Sequence, residues 1–243
     1  MLLTALALSA LLPGVAWAQS TGQQVWADFT ADFRQSDRFL YELDVQPKAQ
    51  VSGDDTWRAL EATPAFEWLA NRWFEVVGQT LLSRTRQSTD VTTYEVAPRI
   101  GLRLHLFSNL RTMRSGPRPL RRVGIANLLR LEWRNLWYSD GTPTSHQWRL
   151  RNRIELKAGI NHGDMSRDGT LYFQVDVEVF MPLNGNIDET YASKLRGRIG
   201  LGYRHSDTWR YGVLYIRDET RQSAGDIFAR SANSVDFRVQ TFF

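Results

Sequence analysis

Apolar and polar residues alternate along much of this chain with a period of two. Between Trp148 and Lys157 the even positions carry Trp, Leu, Asn, Ile and Leu, whereas the odd positions carry three arginines, a glutamate and a lysine. Successive side chains of a β-strand point to opposite faces, so the pattern predicts a strand with one apolar and one charged face. Residues 171–181 and 194–204 repeat the pattern.

The same alternation marks candidate strands along the whole chain. They are 25–33, 39–46, 65–70, 73–84, 92–106, 123–138, 148–158, 171–181, 194–204, 209–217 and 235–243. Bacterial single-chain barrels have an even number of strands, so we expect twelve, one of them unrecognised, or ten if residues 65–84 form a single strand. The sequence Ala70-Asn71-Arg72, typical of a tight turn, favours twelve.

The length and the ends of these segments distinguish two kinds of β-protein. A soluble β-sandwich also alternates, but its strands are usually about 5 or 6 residues long, whereas a tilted membrane-spanning strand needs about 9 to 11. Aromatic residues gather toward the segment ends, as at Trp133, Trp137, Trp148 and Trp209. We therefore predict the fold class as all-β, a transmembrane antiparallel up-and-down β-barrel.

Energetics predicts which face of each strand is outside. Turning residues 148–157 over would place five charges toward lipid, at roughly 2 to 4 kcal/mol each near the bilayer midplane. The apolar faces are therefore expected to meet lipid, and the charged faces to line the lumen.

Both ends of the chain point to the bacterial outer membrane. Residues 1–18 are apolar and finish in Ala16-Trp17-Ala18, a small-x-small cleavage pattern, so we predict a signal peptide over 1–18 and a barrel over 19–243. The last strand, 235–243, alternates and ends in Phe243. This ending resembles the signal that the outer-membrane barrel-assembly machinery recognises. That machinery and outer-membrane lipid are the predicted partners of a monomer.

Composition adds two restrictions. The chain has no cysteine, which excludes a disulfide framework and thiol chemistry. Its formal net charge is +4, but the arginines are spread at strand spacing and not gathered in a patch, so a nucleic-acid partner is not predicted.

Four stretches carry a resemblance to a known family: RLEWRNLWYS at 130–139, WRLRNRIELK at 148–157, VDVEVF at 175–180 and RGRIGLGYR at 196–204. With these strands the chain resembles a family of outer-membrane proteins known as domain of unknown function 2490. The resemblance covers about residues 90–243. It implies architecture and localisation, and it brings no catalytic signature.

Charged residues on the predicted lumen face are the candidate site. If 148–158, 171–181 and 194–204 are neighbouring antiparallel strands, the acids of the middle strand lie between arginines on both sides, a favourable cross-strand arrangement. The set is Arg99, Arg103, Arg130, Glu132, Arg134, Arg149, Arg151, Arg153, Glu155, Asp176, Glu178, Arg196, Arg198 and Arg204. One interpretation is an ion-pair network that fills the barrel. The other is a cationic constriction that selects anionic solutes.

Gly200 and Gly202 lie on the same predicted inner face. They either open space for a solute or relieve crowding.

Catalysis has weak support. A histidine and a serine could act as base and nucleophile, and His205 and Ser206 are adjacent in the sequence. Neighbouring residues of a strand point to opposite faces, however, so these two side chains cannot easily hydrogen-bond to each other. His105, His146 and His162 lack metal-ligand spacing. We predict no catalytic residue, metal or cofactor. The hypotheses are a narrow arginine-lined pore for small anionic solutes, a non-conducting structural barrel, or a lipid-modifying outer-membrane enzyme.

Overall fold

A computed structural model describes residues 22–53, 56–88, 90–106, 122–184, 194–220 and 229–243, with side chains omitted at 229–231. The predicted signal peptide, residues 1–18, lies outside the described residues. Among those that are described, no helix is long and apolar enough to cross a membrane.

The described residues form one closed β-barrel. Its strands are β1 (Gly22–Arg34), β2 (Phe39–Ser52), β3 (Trp57–Leu69), β4 (Phe74–Gln87), β5 (Thr92–His105), β6 (Val123–Tyr138), β7 (Ser145–Gly159), β8 (Thr170–Pro182), β9 (Lys194–Arg204), β10 (Trp209–Thr220) and β11 (Ala229–Phe242). Each strand pairs with its neighbours in sequence, and β1 also pairs with β11.

Every predicted strand segment is present, although three extend well beyond their predicted bounds. The second continues to Ser52, the third begins at Trp57, and the last begins at Ala229. Proline lacks an N–H and usually ends a strand, so Pro47 and Pro64 interrupt the signal in the sequence. In the barrel Pro47 pairs with Leu60, and Pro64 pairs with Leu43.

The predicted strand number is not found. The described part of the chain has eleven strands, and neither a twelfth strand nor a merged 65–84 strand occurs in it. The turn predicted at Ala70-Asn71-Arg72 is confirmed: the Asn71 side-chain oxygen accepts the backbone N–H groups of Trp73 and Phe74, at 2.8 and 3.1 Å.

The closing pair explains the odd number. β1 and β11 run parallel, from Gly22 opposite Ala232 to Asp32 opposite Phe242, whereas the other neighbouring strands pair antiparallel. The predicted fully antiparallel up-and-down sheet is therefore wrong at this one pair. An even number is needed only when the first and last strands are antiparallel.

The parallel closure also sets the two ends of the barrel. At one, called the Phe243 end, lie the short turns 35–38, 70–73 and 205–208 together with the C-terminus. The other, called the Gly22 end, carries the start of β1 and the connection 139–144. The turn 205–208 thus lies at the same end as Phe243.

Contacts at the Phe243 end hold the closing pair together. The Phe33 and Phe243 rings stack with centroids 5.0 Å apart. The Phe243 N–H donates to the Asp32 carbonyl at 2.8 Å, and the Arg34 N–H donates to the Phe243 carbonyl at 3.1 Å. The Gln240 amide donates to the Asp32 carboxylate at 2.6 Å. The last strand is thereby paired on both sides, which leaves it no free edge.

The distribution of residues is the reverse of a soluble protein's. On the outer face large apolar side chains are exposed, as at Ile100, which is 61% exposed, and Ile154, which is 55% exposed. On the inner face Glu132 and Glu178 are 0% exposed. A small apolar cluster, formed by Trp26, Leu214 and Ile216, lies inside the barrel.

The two inward glycines of β9 allow close packing. A Cβ atom on Gly200 would lie 2.0 Å from the carbonyl oxygen of Val213, and one on Gly202 would lie 2.2 Å from the Tyr172 ring. Of the two predicted roles, the structure therefore favours relief of crowding.

A methyl group at position 200 should consequently be costly. We expect Gly200→Ala to lower the free energy of unfolding by about 1 to 3 kcal/mol, because the nearest atom it meets, the Val213 carbonyl oxygen, and the Leu214 Cα atom belong to the backbone of β10 and cannot rotate away. Gly197→Ala is the matched control on the same strand, since nothing lies within 4 Å of its Cβ position. Urea unfolding followed by tryptophan emission measures both. Equal destabilisation by the two changes would contradict this account.

Candidate functional site in the barrel interior

Two buried glutamates, called the central carboxylates, organise the arginines of the barrel interior. Glu132 lies on β6 and Glu178 on β8, and β7 runs between them. Arg151 of β7 bridges them, because one of its nitrogens lies 2.7 Å from Glu132 and another lies 2.7 Å from Glu178.

Further arginines complete the shell of each central carboxylate. Around Glu132, Arg149 is 2.6 Å away and Arg99 is 3.1 Å away. Around Glu178, Arg198 is 2.9 Å away and Arg130 is 3.5 Å away. Arg149 and Arg151 donate to Glu132, and Arg151 and Arg198 donate to Glu178, in the strong charge-assisted type of hydrogen bond. Arg99 and Arg130 contact the carboxylates as ion pairs.

The register of the strands creates this arrangement. Arg149 lies directly opposite Glu132, and Glu178 lies directly opposite both Arg153 on one side and Arg196 on the other. Elsewhere in the register Arg130 faces Arg151. Two like charges opposite each other are destabilising, so this pair depends on the central carboxylates beside it.

The predicted neighbours of β8 are confirmed, with different individual pairs. Asp176 contacts Arg198 at 2.6 Å. Arg196 instead turns toward β10, where it lies 2.8 Å from Asp218, and Lys194 lies 2.7 Å from the same carboxylate. Asp218 was not part of the predicted set.

The remaining predicted residues belong to smaller clusters on the inner face. Arg134 lies 2.7 Å from Glu95, and Glu155 lies 3.1 Å from Lys157. Arg103 contacts Glu67 and Glu75, at 3.2 and 2.5 Å. Arg204, near the Phe243 end, contacts Asp168 and Asp207.

Two aromatic side chains point inward among these cations. Phe180 lies under the guanidinium groups of Arg149, Arg151 and Arg196, at 4.9, 4.3 and 5.6 Å from the ring centroid. Trp26 lies under Lys48 at 4.4 Å and under Arg196 at 5.0 Å. Cations attract the faces of aromatic rings, so both rings add to the stability of this charged interior.

A cavity of about 320 Å³ occupies part of the interior. Along β7 its lining residues run from Arg151 to Lys157, toward the Phe243 end, and along β6 they run from Arg130 to Gly124 in the same direction. Toward the Gly22 end, the buried residues Arg149, Glu132 and Phe180 fill the space instead. We call these three, with the ion pairs around them, the filled layer.

One wall of the cavity is acidic and was missed in the sequence. Asp28 of β1, Glu42 and Asp44 of β2, and Glu61 of β3 line it. A signal was available, because Asp28, Glu42 and Asp44 alternate with apolar residues inside the predicted strands 25–33 and 39–46. Glu61 lies in the part of β3 that the prediction did not include. The opposite wall is rich in arginine, with Arg130, Arg151, Arg153, Arg196 and Arg198 among its lining residues.

The histidines and Ser206 take structural roles. The Ser206 hydroxyl oxygen accepts the N–H groups of Thr208 and Trp209, at 3.3 and 3.2 Å, and so holds the 205–208 turn. His105 is buried against Glu75, and His146 contacts Asn135. In the described ranges no group of histidine, aspartate and glutamate side chains could hold a metal ion.

These features define a class of protein: a closed β-barrel with a charged, ion-paired interior and an apolar exterior. The chain belongs to the family described as "Protein of unknown function (DUF2490)", which matches residues 23–229. The predicted family is therefore confirmed, and the match extends over the N-terminal strands as well. Comparison with curated proteins gives no match. Comparison with solved structures gives none either.

Removing one central carboxylate should destabilise the barrel strongly. We expect Glu132→Gln to lower the free energy of unfolding by about 3 to 5 kcal/mol, because it leaves buried guanidinium groups without their shared counter-charge. Asp90→Asn is the control, since the Arg86–Asp90 ion pair is exposed and should contribute little. The measurement is the urea unfolding curve. A Glu132→Gln barrel as stable as the control would refute the organising role of this carboxylate.

Proposed function

We propose that this protein is a transmembrane β-barrel of the bacterial outer membrane, whose arginine-lined interior admits small anionic solutes. The observation that carries the proposal is the inverted distribution of residues: an apolar outer face and an ion-paired inner face on the same strands.

The apolar outer face supports a membrane environment. Exposed aliphatic side chains lie in the middle of the strands, as at Leu43, Ile100, Leu129, Ile154 and Val213. Contiguous exposed apolar surface of this extent is rare on soluble monomers. In a bilayer it would contact hydrocarbon, and the hydrogen-bonded closure of the barrel would leave no unpaired strand edge in lipid.

Aromatic side chains lie toward both ends of this aliphatic band. Tyr41, Trp68 and Trp209 are exposed near the Phe243 end, and Tyr94 and Trp137 are exposed near the Gly22 end. Aromatic girdles at the two membrane interfaces are typical of outer-membrane barrels. Strands of 11 to 16 residues are also long enough to cross a bilayer.

The outer membrane is the membrane that the chain ends favour. The predicted signal peptide over 1–18 would direct export, and the terminal Phe243 completes a strand of the kind that barrel assembly recognises. The proposed partners remain lipid and that assembly machinery, and the proposed oligomeric state is a monomer.

Charge inside the cavity supports an anionic solute. More arginines than carboxylates line it, and Arg153 is the clearest case. Its guanidinium group lines the cavity and forms no hydrogen bond or ion pair with the part of the chain that the structure describes. Desolvated, unpaired cations attract anions, and rings of charge set the selectivity of channels.

A non-conducting barrel is the second candidate, and the filled layer favours it. Arg149, Glu132 and Phe180 are buried and packed against one another on the Gly22 side of the cavity. An anionic solute that passes through the barrel must displace part of this layer.

Planar-bilayer recording distinguishes the two candidates. For the wild type we expect a small conductance that prefers anions. Arg153→Gln should lower the ratio of anion to cation permeability at least about twofold, because it removes an unpaired cation from the cavity wall. Arg86→Gln, a change in an exposed ion pair near the end of β4, is the control and should keep the ratio. Silent membranes containing folded, inserted protein would overturn the anion-passage proposal and favour the non-conducting barrel.

A further inference from the structure

We infer that the cavity binds a zwitterionic solute, one whose anionic and cationic groups lie at opposite ends of a short chain. The inference rests on the proposed function and narrows its substrate class. It follows from the position of two side chains, Asp44 and Arg153, on opposite walls of the cavity.

The strand order places these walls opposite each other. Asp44 lies on β2 and Arg153 lies on β7. In the closed ring of eleven strands, β2 and β7 are separated by four strands on one side and by five on the other. Each residue lies near the middle of its strand, and both line the same cavity.

Arg153 provides the anion-binding side. Most arginines of the barrel interior are held by carboxylates, as Arg151 and Arg198 are held by Glu178. Arg153 lies directly opposite Glu178 in the register, but closer arginines occupy that carboxylate. Its guanidinium group therefore faces the cavity without a hydrogen bond or close ion pair from the described residues, although the charges of Glu155, Glu178 and Asp176 act on it from farther away.

Asp44 provides the cation-binding side. One of its carboxylate oxygens, Oδ1, is buried and has no hydrogen-bond partner. Its neighbour Asp28 accepts hydrogen bonds from Thr30 and Gln46, at 3.0 and 3.3 Å, and also lines the cavity. A bound ammonium group would donate to the free oxygen of Asp44 and offset the repulsion between the two acids. Buried polar groups are normally satisfied in this way.

The volume of the cavity limits the size of the solute. A volume of about 320 Å³ accommodates a small molecule with a chain of several carbon atoms. A simple anion would satisfy Arg153 alone, and a simple cation would satisfy Asp44 alone. A solute with a carboxylate at one end and an ammonium at the other satisfies both and adds no net charge to the interior.

Titration calorimetry of the detergent-solubilised protein tests this with three matched probes: 6-aminohexanoate, hexanoate and hexylammonium. We expect 6-aminohexanoate to bind at least about tenfold more tightly than either single-charge probe. Arg153→Gln and Asp44→Asn should each remove that preference. Arg86→Gln, a change in an exposed ion pair, should keep it. Circular dichroism of each variant establishes that it is folded.

The probes separate failure of this inference from failure of the proposed function. If hexanoate binds as tightly as 6-aminohexanoate and Asp44→Asn has no effect, the site takes anions alone, so the zwitterion inference falls and the proposed function stands. If folded protein binds neither carboxylate, both fall. Preference for 6-aminohexanoate that survives both cavity variants would place the site elsewhere and also overturn the inference.

Discussion

The hydrogen-bonded closure of the sheet is the constraint on which the rest of this structure depends. Because β1 pairs with β11, every strand has a partner on both sides, and each strand must present one face inward and one outward. Charged and apolar residues alternate in the sequence with the same period of two as the faces of a strand. When the sheet closes, the arginines and the acids therefore lie together in the interior. Without it the charged faces would have no enclosed volume, and the apolar faces would have no continuous exterior.

Enclosure makes the charges depend on one another. A buried charge is costly unless it is paired and hydrogen-bonded. The central carboxylates Glu132 and Glu178 meet that requirement for several arginines at once, and Arg151 joins them. This is a dense arrangement, and it closes the Gly22 side of the barrel. Toward the Phe243 end the structure has a cavity.

Much of the barrel was predictable because its signal is local. Alternation over about ten residues, as in 148–157, identifies a strand and its faces without knowledge of its neighbours. The closing pair was not predictable in the same way. The pairing of Gly22 with Ala232 joins the two ends of the chain, and nothing in either segment states whether the pair is parallel. The even number expected for bacterial barrels therefore led to a twelfth strand that does not occur among the described residues.

The site was predictable in part for a related reason. The alternation of residues predicts that Arg153 and Glu178 point inward. It does not predict their ion-pair partners, because a long side chain can contact residues on a neighbouring strand that are not directly opposite it. Arg196, expected beside the acids of β8, pairs with Asp218 of β10 instead. The acidic wall was missed although Asp28, Glu42 and Asp44 lie in strands that were predicted; only Glu61 lies before Pro64, in the part of β3 that the prediction did not include.

Site-specific quenching by brominated lipid tests most directly whether the apolar face meets a membrane. The chain has no cysteine, so a single introduced cysteine carries a single fluorescent label. Ile154→Cys places the label on the outer face of β7, and Arg153→Cys places it on the inner face at the neighbouring residue. In vesicles, brominated lipid should quench the label strongly at position 154 and weakly at 153. Equal quenching at both positions, or none at 154, would contradict the transmembrane barrel.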